Sequence, residues 1–109
     1  MTELVKGTTP TIRYNFSSVT VSDIVVALLK ITQAKGVQVV KDLEDATVGN
    51  KYLEWVLTQE ETLSLKEGNY ALITLDWLLD NGTRGFGKQS VVKVVPSGTN
   101  EVLEVSVDE

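Results

Sequence analysis

The residues able to do chemistry in this chain are carboxylates, lysines, arginines and hydroxyls, because histidine and cysteine are both absent. Histidine is the usual general base near neutral pH and the commonest nitrogen ligand of transition metals. Histidine-based triads and histidine-held zinc-water sites are therefore excluded. Without cysteine there is no disulfide framework, no thiolate nucleophile and no cysteine-type zinc site. Three acidic groupings remain. Asp42, Glu44 and Asp45 sit where hard cations take oxygen ligands, but their spacing lacks the register of a calcium loop and reads as a solvated acidic turn. Glu60 and Glu61 follow Thr58, and Thr58 with Glu61 has capping-box spacing, so these charges read as the start of a short helical turn. Asp76 and Asp80 flank Trp77, which reads as a core ring with solvent-facing acids. A carboxylate pair alone serves some glycoside hydrolases, yet no base or cleft supports one here. An enzyme is not expected.

Gly82-Thr-Arg-Gly85-Phe-Gly87 superficially matches a phosphate-cradling loop. It joins strand to strand and opens no helix, so the helix-terminus anion site is missing and it reads as a flexible hairpin loop. Arginine and aromatic residues on such a loop make good interface anchors, and Arg84 and Phe86 are candidate partner contacts. Leu103, Val105 and Val107 share one face of an alternating tail and are candidate contacts of the same kind, since such a tail can add to another subunit's sheet.

The elements that must position these residues are strands. Thr9 to Phe16 alternates, with Ile12, Tyr14 and Phe16 on one side. Ile24 to Gln33 is rich in β-branched residues, with Ala27, Leu29 and Ile31 on one face while Val26 and Leu28 partly cover the other. A break at Ala34-Lys35-Gly36 predicts a hairpin into Val37 to Leu43. Lys51 to Leu57 alternates around Leu53, Trp55 and Leu57. Leu63 and Leu65 follow the helical turn as plugs of the sandwich end. Asn69 to Leu79 presents Ala71, Ile73, Leu75 and Trp77, with Trp77 closing the core. Asp80-Asn-Gly82 turns the chain into a sixth strand, Phe86 to Val95, and Val102 to Val107 reads as a seventh.

About seven short strands with strong turns and one short helical turn predict an all-β, immunoglobulin-like antiparallel sandwich. A chain of 109 residues with 42% apolar content suffices for one such domain without metals or disulfides. Its organisation reads as an N-terminal arm over residues 1–8, the sandwich over 9–95 and a strand-like tail over 96–109, both tails being the parts least tied to the core by pattern. No cofactor is expected. A net charge of −5, with ten scattered basic residues, makes nucleic acid and anionic membrane poor partners. The start lacks the basic flank and apolar run of a signal peptide, and Ile24 to Leu29 is too short to span a bilayer. The expectation is a protein made and kept in a cytosol, or released from one by lysis.

Four segments carry a family resemblance: Gly7-Thr-Thr-Pro-Thr-Ile-Arg-Tyr-Asn-Phe16, Ala27-Leu-Leu-Lys-Ile-Thr-Gln33, Leu57-Thr-Gln-Glu-Glu-Thr-Leu63 and Val91-Val-Lys-Val-Val95. Over residues 7–95 the chain resembles small immunoglobulin-like proteins of tailed bacteriophages and prophages, and is similar to the N-terminal domain of the baseplate upper protein family. The resemblance implies a virion component, made in the bacterial host cytoplasm, that docks onto other phage structural proteins in baseplate, tail or head and forms homo-oligomers in the particle. It supplies no catalytic residues. The alternative reading is a carbohydrate or host-surface binding module using Tyr52, Tyr70 and Trp77 beside acids.

Overall fold

The computed structural model describes residues 2–87 and 89–104. Its strands are β1 (Glu3–Val5), β2 (Thr11–Asn15), β3 (Ile24–Gln33), β4 (Gly36–Asp42), β5 (Thr47–Val48), β6 (Tyr52–Val56), β7 (Tyr70–Leu79), β8 (Arg84–Phe86) and β9 (Ser90–Val95), with one helical turn, α1 (Gln59–Leu63). The larger sheet runs β1-β9-β7-β3-β4, with β8 also beside β7, and the smaller runs β2-β6-β5. Every pairing is antiparallel except β1 with β9. This is an immunoglobulin-like β-sandwich, and the first five strands foreseen in the sequence are present as β2, β3, β4, β6 and β7.

Alternation explains the core. Leu29 and Ile31 of β3, Leu53 and Trp55 of β6, Leu75 of β7 and Val92 and Val94 of β9 meet between the sheets, all essentially without solvent contact. Trp55 is the wholly enclosed indole, and its Nε1 donates to the Asp42 carbonyl at 2.9 Å. Trp77 sits at the margin of the core, half-buried, edge to face with Phe16 at a centroid distance of 5.0 Å. At the other end Leu65 is fully buried and Leu63 half-buried.

The helical turn starts as its spacing requires: Thr58 accepts from the Glu61 N–H at 3.1 Å and Glu61 accepts from the Thr58 N–H at 2.8 Å. Glu61 also meets Lys41 Nζ at 2.8 Å. The turn then ties down chain that the sequence pattern leaves loose. Thr62, fully buried, donates through Oγ1 to the Thr8 carbonyl at 2.8 Å and accepts from the Gly7 N–H at 2.9 Å. Gln59 pairs with the Leu103 backbone through both amide atoms, at 2.7 and 2.8 Å. Gln33, buried at the end of β3, grips Lys66 in the same two-point way.

Three expectations are corrected. The N-terminal arm is part of the larger sheet, with Leu4 fully buried, because three residues are too few to show a period and their parallel partner lies at the far end of the chain. The sixth strand is split into β8 and β9. From Asp76 to Ile73 β7 advances three residues while the facing strand advances four, from Phe86 to Ser90, so one extra residue breaks the ladder. Residues 102–104 of the expected seventh strand pair with no strand and are held by the Gln59 side chain instead. Val105 and Val107 lie outside the described residues.

Candidate interaction face

Because Ala71, Ile73 and Leu75 of β7 point inward, Leu72, Thr74, Asp76 and Leu78 point outward. Register places Val26 and Arg84 beside Leu78, Leu28 and Phe86 beside Asp76, Lys30 beside Thr74, and Val91 beside Leu72. Val40 of β4 stands beside Lys30. The solvent side of an antiparallel sheet is ordinarily polar. Here it is largely aliphatic and aromatic, with Phe86 75% exposed and Val91 61% exposed. Val26, Leu28, Asp76, Trp77, Leu78 and Arg84 line a shallow depression of ≈ 210 Å³ in this face. Phe86 stands next to it.

The outer face of the smaller sheet is built differently. Arg13 Nε donates to Glu54 at 2.8 Å and its guanidinium lies 4.0 Å above the Tyr52 ring. Thr11 and Asn15 continue that face, which is polar except for Val56.

Arg84 and Phe86 reach the larger face through glycine chemistry that differs from a flexible loop. In β8 the residues alternate, so Arg84 and Phe86 project outward while Gly85 and Gly87 face the core. A Cβ on Gly85 would lie 2.6 Å from the Trp77 ring, and one on Gly87 would lie 2.6 Å from the Tyr14 ring. Neither glycine has positive φ, so close approach rather than backbone freedom requires them. The reading of a flexible hairpin loop is thereby corrected. The loop proper is the turn at Gly82, whose φ is +88°. Arg84 comes within 3.5 Å of Asp76, an exposed pair of small energetic weight. Burial against the core raises the pKa of the Tyr14 phenol, which abuts Gly87.

The structure does not gather the other candidates here. Leu103 is exposed and is held by Gln59 of α1, not on the outer face that carries Arg84 and Phe86. Tyr52 is on the smaller outer face, Tyr70 on the larger, and Trp77 turns inward, so the three rings share no platform. Asp42 and Asp45 cap each other's backbone N–H groups at 3.1 and 3.2 Å in a 3-10 turn over Leu43–Asp45. Among the described residues no three acidic side chains form a metal cluster. The residues missed from the sequence are Leu72, Leu78, Val40 and Val91. The signal was present in Val26 and Leu28, whose apolar character on the second side of β3 marks a strand with two apolar faces.

No family model matches the chain, and no curated protein does. Among solved structures it is similar to CopC from Methylosinus trichosporium OB3b, with a TM-score of 0.56 and 14% sequence identity over 91% of this chain and 89% of that one. At this identity the likeness shows a shared fold and no more.

Proposed function

We propose that this chain is a non-enzymatic structural and assembly protein of a phage particle, docking through its immunoglobulin-like domain onto other particle proteins. The observation that carries the reading is the exposed apolar outer face of the larger sheet. A surface of this kind and extent marks a protein-protein contact. The four sequence segments that resemble the baseplate upper protein family supply the particle as its setting, and the carboxylates serve as helix caps and ion-pair partners rather than as a catalytic set. Arg84 and Phe86 are the anchors of the contact.

The test is incorporation. A prophage or phage encoding this chain is induced, particles are purified, and the protein is quantified by mass spectrometry for the wild type and for Leu78→Lys, which places a charge in the wall of the depression. The expected result is stoichiometric wild-type protein in particles and at least a tenfold loss of Leu78→Lys with unchanged folding. Consistent absence of the wild type from intact particles overturns the proposal.

A further inference from the structure

We infer that the occupant of the larger sheet's outer face is a second copy of this chain, packed face to face about a two-fold axis, with Phe86 of each copy seated in the depression of the other. The inference rests on the assembly reading above and names its partner. An isologous contact requires a surface that carries both a knob and the hole that receives it. This face carries both. Phe86 projects from β8 with three quarters of its surface exposed, and the ≈ 210 Å³ depression opens beside it, with apolar walls from Val26, Leu28 and Leu78. Ladder geometry puts knob and hole roughly 10 Å apart, so an axis in the plane of the face, midway between them, exchanges one for the other.

Charge and area favour the same occupant. The chain carries −5 overall, which opposes self-association. On this face Lys30, Arg84 and Lys93 balance Glu3, Asp42 and Asp76, so two copies can meet here without net repulsion. The ten residues of β7 and four strand spacings give about 33 Å by about 19 Å, or roughly 600 Å² per copy. Two copies together reach about 1,200 Å², the lower bound of a specific interface. A dimer of moderate affinity follows.

The purified full chain is tested by light scattering and sedimentation over a concentration series. Wild type is expected to rise from 11.9 kDa toward twice that mass. Phe86→Ala removes the knob and Val26→Trp fills the hole, and each is expected to weaken dimerisation about tenfold or more. Circular dichroism and a melting curve establish that both variants fold. An equimolar mixture of the two is the decisive sample. It retains one knob and one open hole that fit each other, so a heterodimer tighter than either variant's homodimer is expected. A mixture that behaves as the sum of its parts overturns the inference, as does a wild type that stays monomeric to about 200 μM. A monomer still incorporated into particles overturns the inference alone, whereas a dimer absent from particles overturns the assembly reading alone.

Discussion

Substituting Gly85 by alanine separates two accounts of the glycine-rich segment that differ in sign. A glycine in a flexible loop, replaced by alanine where φ is permissive, stabilises a protein by about 0.4–1 kcal/mol through the unfolded chain. Gly85 has no positive φ, so that gain is available here too. Against it stands the Trp77 ring, whose Cε2, Cζ2 and Nε1 atoms would lie 2.6 to 2.7 Å from the new methyl. Ordinary carbon contacts are about 3.5 Å or more. The indole has little freedom to retreat, because Phe16 meets it edge on. Overpacking of this kind costs about 1–3 kcal/mol, and subtracting the chain-entropy gain leaves a net loss of about 1–2 kcal/mol. With an unfolding entropy of about 2.1 cal/mol/K per residue, a 109-residue chain loses about 4–9 °C of Tm. Thermal unfolding followed by circular dichroism reads this directly. Repeating the substitution in a Trp77→Leu background removes the obstacle, and Gly85→Ala should then be neutral or mildly stabilising, a coupling of about 1–3 kcal/mol. A rise in Tm in the wild-type background refutes the close-approach argument and restores the flexible loop.

Two further outcomes test the interior. Thr62→Val keeps the side-chain volume but leaves the Gly7 N–H and Thr8 carbonyl without their partner; at about 1 kcal/mol for each partly buried group the loss is about 2 kcal/mol and about 9 °C of Tm, while Thr62→Ser retains most of the stability. Stability should also fall at alkaline pH through Tyr14. Its folded pKa is raised above 10.0 by burial, so above pH 10 the unfolded chain releases this proton first and the folded state is progressively disfavoured up to the folded pKa. Below pH 10 both states hold the proton and this residue contributes no slope. Tm measured from pH 8 to 11 should decline less steeply in Tyr14→Phe, and an identical decline refutes the assignment.

What was legible in the sequence was local. A period of two needs only a few residues, and β2, β3, β6 and β7 lie within the segments whose pattern announces them, while β4 was announced by the hairpin break before it. The capping box at Thr58 and Glu61 was legible because the geometry of a helix start fixes the spacing of its residues. Pairings across the chain were not. Nothing within Glu3, Leu4 and Val5 indicates that Lys93 to Val95 will receive them in parallel. Nor does Thr62 differ from any other threonine in a helical turn until Gly7 and Thr8 are seen to end against it. Gly85 and Gly87 carry the same letter as a hinge glycine, and only Trp77 and Tyr14 decide their role. Arg84 and Phe86 were singled out as residues of a flexible loop, whereas both project from a strand, β8. The apolar face around them needs the register of five strands to be seen at all.

The free strand edges bear on how this domain can associate. An exposed edge invites another chain to extend the sheet, and proteins blunt such edges with short strands, bulges and inward charges. Both ends of the larger sheet are treated in this way. At one end β1 is only three residues long, and Gly7 just beyond it, with a φ of +80°, turns the chain aside. At the other, β4 is distorted by a register shift opposite Ile31 and Thr32 and carries Lys41 on its inward side, where it pairs with Glu61 of α1. Lateral strand addition is therefore opposed at both edges, while nothing comparable guards the broad face between them. An isologous contact through that face brings two sheets together without extending either, so it closes on itself and does not propagate into fibres. On this argument Lys41→Val, which removes the inward charge of β4 and leaves only the register shift, should promote concentration-dependent aggregation detected by thioflavin fluorescence, whereas Phe86→Ala should not. Aggregation of Phe86→Ala alone would place the lateral contact at the face and contradict the division of roles between face and edge.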